Sequence, residues 1–72
     1  MTWMRKLEEL NDVSGKIVGI VPNRIIVAGQ DTRVWDIVEI GVPDYEEAVI
    51  ARSFTPEQAI GIAFNVLNVK DQ

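Results

Sequence analysis

Asp31, Asp36 and Glu39 come nearest, by type and spacing, to a set that could do chemistry. Grouped carboxylates can hold a hard cation. A calcium loop, however, alternates its acids ahead of a turn glycine, and these three do not. Their expected role is ordinary surface charge. Ser14 and Ser53 are the available hydroxyl nucleophiles near turn signals, yet the chain has no histidine and no cysteine. A Ser-His-Asp or Cys-His arrangement is therefore excluded, together with any thiolate metal site. Gly15-Lys16-Ile17-Val18-Gly19 lacks the four residues that a phosphate loop sets between its glycine and Gly-Lys-Ser/Thr. No catalytic residue, cofactor or metal is expected, and the chain reads as a non-enzyme.

Arg33, Arg52, Gln58 and Asn65 are the candidates for contacting DNA, since arginine binds phosphate or guanine and Gln or Asn can read adenine. The balance of charge works against them. Seven Lys and Arg face eleven Asp and Glu, a net charge of −4, whereas phosphate neutralisation needs clustered cations. Nucleic acid is thus a disfavoured partner. Arg5-Lys6 is followed by Leu7-Glu8-Glu9-Leu10 instead of an apolar leader segment, and no run suffices to span a bilayer. A cytoplasmic protein without a membrane is the expectation.

Positioning any of these residues falls to one domain, residues 1–72, because a chain this short has no room for two. Such a domain buries only about 60% of its unfolded surface, and association with another chain is a common remedy. Trp3, Leu7 and Leu10 lie on one helical face and predict an N-terminal helix over 2–11. Lys16 to Val21 and Arg24 to Ala28 are β-branched runs on either side of Pro22-Asn23, which predicts a hairpin over 16–28 turning at that dipeptide.

Arg33 to Val42 fits two states. Its β-branched content favours a strand, but Asp36 interrupts the apolar row Val34, Val38, Ile40, and Val34, Ile37 and Val38 also match a helix capped by Asp31 or Thr32. Asp44 with Glu47 forms a capping-box variant behind Pro43, predicting a helix from Tyr45 to about Arg52. Thr55-Pro56-Glu57-Gln58 is a stronger start signal, for a helix reaching about Val69. Around that last helix, Ile60, Ala63, Phe64 and Leu67 suffice to close a small core. Ala59, Ile62, Val66 and Val69 form a second stripe and, with Trp3, make the candidate protein interface.

From Ile25 to Leu67 the chain resembles a family of short prokaryotic proteins of unknown function with a helix-turn-helix-like domain, among them antitoxins encoded beside PIN-domain ribonuclease toxins. The resemblance rests on Ile26-Val27-Ala28-Gly29, then Val34-Trp35-Asp36-Ile37-Val38-Glu39-Ile40, then Glu46-Glu47-Ala48 and Phe54-Thr55-Pro56-Glu57-Gln58-Ala59. The family's Thr-Arg directly after the glycine is displaced here, with Gln30-Asp31 in its place and Thr32-Arg33 two residues later.

The resemblance implies that Arg33 to Ile40 is helical. The expected fold is then mainly α with a short β-hairpin, residues 33–69 forming a helix-turn-helix-like three-helix unit. The alternative is α+β, a four-stranded antiparallel sheet with a C-terminal helix. The function implied is an antitoxin-like interaction module, forming a homodimer and binding a protein partner such as a PIN-domain toxin. A DNA-binding autoregulator and a phage-type inhibitor of a host protein are the alternatives.

Overall fold

The computed structural model describes residues 2–69. Its elements run α1 (Thr2–Ser14), β1 (Val18–Val27), β2 (Gln30–Glu39), α2 (Tyr45–Ala48), β3 (Val49–Ser53) and α3 (Pro56–Val66). The strands form one antiparallel sheet in the order β1-β2-β3. The fold is therefore α+β. It is neither mainly α with a helix-turn-helix-like unit nor the four-stranded alternative.

The largest correction concerns the hairpin. Pro22-Asn23 is not a turn. β1 runs straight through it for ten residues and pairs along its whole length with β2, from Val18 opposite Glu39 to Val27 opposite Gln30. The turn is Ala28-Gly29, whose φ angles of 51° and 78° are the paired positive values of a type I′ turn. The two-residue loop makes Val27–Gln30 a hydrogen-bonded pair. Counting back in twos leaves Pro22–Trp35 at a non-bonded position, with the proline nitrogen on the outer edge. No ladder bond is lost, so the proline does not break the strand.

Arg33 to Val42 is likewise not helical. Most of it lies in β2, the central strand, which explains why its apolar residues fall on both faces. Val18 and Ile20 of β1 and Trp35 and Ile37 of β2 point to the face covered by α1 and α3, where Leu10, Ala59, Ile60, Ala63 and Phe64 complete the core. Val34, Asp36 and Val38 alternate to the opposite face and are also buried. β3 pairs only with Trp35 to Val38, and a bulge after Ile37 leaves Ile50 without an opposite residue. Beyond that pairing, Asn23 to Val34 projects as a two-stranded arm.

The helix signals hold better. α1 continues to Ser14 and is fastened to β1 by Asn11. The Asn11 amide accepts from the Val18 N–H at 2.8 Å and donates to the carbonyls of Leu7 and Val18 at 2.9 and 3.3 Å. Asp44 caps α2 as expected, accepting from the Glu46 and Glu47 N–H groups. The helix stops at Ala48 instead of Arg52, because Val49 to Ser53 is taken up by the sheet. Thr55 caps α3 through the Gln58 N–H, with Pro56 in the first turn. α3 ends at Val66, three residues before Val69. Asn68, at φ 56°, lets its own N–H reach the Asn65 carbonyl and that of Val69 reach the Phe64 carbonyl, both at 3.1 Å. This is a Schellman ending with asparagine in the left-handed position.

Candidate functional site

Asp36 stands at the centre of β2 with no exposed surface. Its place follows from alternation. It lies in the row of Val34 and Val38, on the face away from α1 and α3. A carboxylate taken out of water must be paired and hydrogen-bonded, or it will neutralise. Partners come from three other elements. Arg52, directly opposite on β3, forks onto it with Nε donating to Oδ1 at 2.6 Å and Nη2 to Oδ2 at 3.0 Å. The Tyr45 hydroxyl, at the start of α2, donates to Oδ2 at 2.6 Å, and the Asn23 amide on β1 does so at 3.0 Å. Among the described residues no buried side-chain nitrogen or oxygen lacks a partner.

The electrostatics follow from these contacts. Burial pushes the Asp36 carboxyl upward, but the Arg52 fork and the Tyr45 and Asn23 bonds outweigh it and hold the pKa down at about 2. Burial, reinforced by the bond to Asp36, pushes the Tyr45 phenol up to about 12. The bond to Asp36 raises Arg52 above its ordinary value. At neutral pH the acid therefore cannot take up a proton, nor the phenol release one. The carboxylate accepts four hydrogen bonds, one at Oδ1 and three at Oδ2. The cluster ties four elements together, β1, β2, α2 and β3.

The three carboxylates singled out in the sequence are not brought together. Asp31 pairs with Arg24 at 2.9 Å on the arm, and Glu39 with Lys16 at 3.3 Å. Asp36 faces away from both, as strand parity requires. No group of acids able to hold a metal ion occurs among the described residues. Asp36 is also not the surface charge expected of it. The signal was its position on an apolar row, which reads as an imperfect strand pattern until a cross-strand arginine is placed beside it.

The expected interface stripe divides. Ala59 is fully buried, and Trp3 and Val69 pack half-buried against the core. Ile62 and Val66 are 40% and 58% exposed, one turn apart on α3. The expected DNA-contact residues also scatter. Arg33 is exposed on the arm, Arg52 is held by Asp36, the Gln58 side-chain oxygen accepts from Ser53 Oγ at 3.2 Å, and Asn65 is exposed on α3. With α2 only four residues long, the helix pair expected from Tyr45 to Arg52 and from Thr55 to Val69 is not formed among the described residues. No family model, no curated protein and no solved structure matches the chain.

Proposed function

We propose that the chain is a non-enzymatic protein-interaction module, which associates with itself and binds a protein partner in the manner of an antitoxin. The observation that carries this is the exposure of Ile62 and Val66 on α3, where the other large apolar side chains of the helix are in the core. Adjacent aliphatic residues at helical spacing are the usual anchor of a helix-mediated contact. The polar cluster supports the reading from the other side, because its titratable groups are held in fixed charge states. A toxin is suggested as partner by the family resemblance alone, and the helix which that resemblance implies over Arg33 to Ile40 is instead strand β2 as far as Glu39. The exposed face of α3, and not the resemblance, therefore carries the proposal.

Sedimentation tests the self-association. The wild-type chain is expected to show a concentration-dependent dimer, and the I62D/V66D variant to remain a monomer with an unchanged circular-dichroism spectrum. A wild-type monomer at millimolar concentration would refute the self-association.

A further inference from the structure

Arg24 and Arg33 stand directly opposite each other on the projecting arm, on the face that α1 and α3 cover nearer the core. Like charges in that position repel and destabilise the pair. The repulsion is only partly relieved, because Asp31 takes a single nitrogen of Arg24 at 2.9 Å, while Arg33 has no ion pair or hydrogen-bonded side chain among the described residues. The two arginines line an open hollow of about 360 Å3 together with Pro22 and Asn23. The same face carries apolar surface on both sides of them. Pro22 and half-buried Trp35 lie toward the core, and Ile26, 71% exposed, lies toward the tip. A free guanidinium and a second one held through a single nitrogen, beside an aromatic ring and exposed aliphatic surface, have the composition of a protein contact site.

We infer that this side of the arm receives a carboxylate of a partner protein, presented between aliphatic side chains. The carboxylate sits between Arg33 and Arg24, and its aliphatic neighbours rest on Ile26 and on Pro22. A guanidinium fork matches a carboxylate in plane and in charge, and the arginine pair loses its repulsion when the anion enters. An extended polyanion is a poor occupant, because the chain as a whole carries eleven acidic residues at a net charge of −4. One compact anion on an apolar segment avoids that repulsion. The inference rests on the protein-interaction reading and names the chemistry of the partner.

The test is a nuclear magnetic resonance titration of the labelled chain with acetyl-Leu-Glu-Leu-amide, its Leu-Gln-Leu counterpart and inorganic phosphate. The Glu peptide is expected to shift the Nε–H signals of Arg33 and Arg24 and the methyl signals of Ile26 to saturation. Binding should be about tenfold weaker for the Gln peptide, and for the R33Q variant with the Glu peptide. Arg33 is exposed and unpaired, so R33Q keeps the fold, as circular dichroism will register. Equal shifts from both peptides, or shifts as large at Arg5, would overturn the inference. Phosphate binding as strong as the Glu peptide would make the hollow a general anion site and overturn it as well. Sedimentation of R24Q/R33Q reads the other occupant, since a lost dimer would assign the surface to a second copy. A dimer that persists through α3 while the Glu peptide fails to bind would sink this inference alone and leave the interaction reading standing.

Discussion

Asp36→Asn keeps the shape of the side chain and removes its charge. The variant leaves half-buried Arg52 without its ion-pair partner, with Glu46 as a remaining negative charge, and losing one partner of a buried pair costs about 3–5 kcal/mol. Because Arg52 remains 32% exposed and can regain water, the expected loss is at the lower end, about 3 kcal/mol by urea unfolding. A loss below about 1 kcal/mol would show that the fork is dispensable. The wild-type chain supplies an independent measure. Asp36 has a folded pKa lowered from 3.8 to about 2, so its contribution is complete above 3.8 and disappears as pH falls through about 2. Integrated over that window it is about 2 kcal/mol, and D36N should show a flatter profile there. Tyr45 behaves oppositely. Its folded pKa is raised from 10.0 to about 12, so its contribution is complete below 10.0 and is lost as pH rises through about 12.

Among the elements, the β1–β2 hairpin has the clearest local conflict. Ala28 occupies the left-handed region at φ 51°, where a Cβ costs about 1 kcal/mol and asparagine is tolerated. Ala28→Asn should raise the melting temperature by several degrees, about 0.5–1 kcal/mol on a domain of this size, without altering the rest of the sheet. An unchanged or lower melting temperature would mean that the turn is not type I′. The same residue explains why the hairpin was misplaced from sequence. Ala-Gly carries half of the expected turn signature, whereas Pro22-Asn23 carries a full one, and it is overruled only by the pairing of β1 with a strand further along the chain. Helix starts were legible because Thr55 and Asp44 act on N–H groups two and three residues away. Where Tyr45 to Arg52 was extended too far, the competing claim on Val49 to Ser53 came from β2, a non-local partner.

For the whole molecule, the division between faces decided what could be read. The core of α3, with Ile60, Ala63, Phe64 and Leu67, follows from helical periodicity and is found as expected. The Asp36 cluster draws on four separate elements, and no spacing within the chain encodes a site assembled by strand register. Arg33 and Arg52 were grouped as cations of one kind, and the sheet separates them completely, one on the exposed arm and one against a buried acid.

The outer side of β1 carries a last consequence. An unpaired strand ten residues long is a template on which further chains can add, the route to cross-β aggregation. Here the template is interrupted at three places. The Val18 N–H is taken by Asn11, Pro22 has none, and the Arg24 N–H is turned onto the Asn23 side-chain oxygen at 2.8 Å. The proline that disguised this strand in the sequence thus protects it in the fold. Pro22→Val should leave the hairpin paired and restore an outward donor at its middle. Faster fibril growth by thioflavin fluorescence is the expected result, and growth no faster than wild type would assign the protection to the two asparagines.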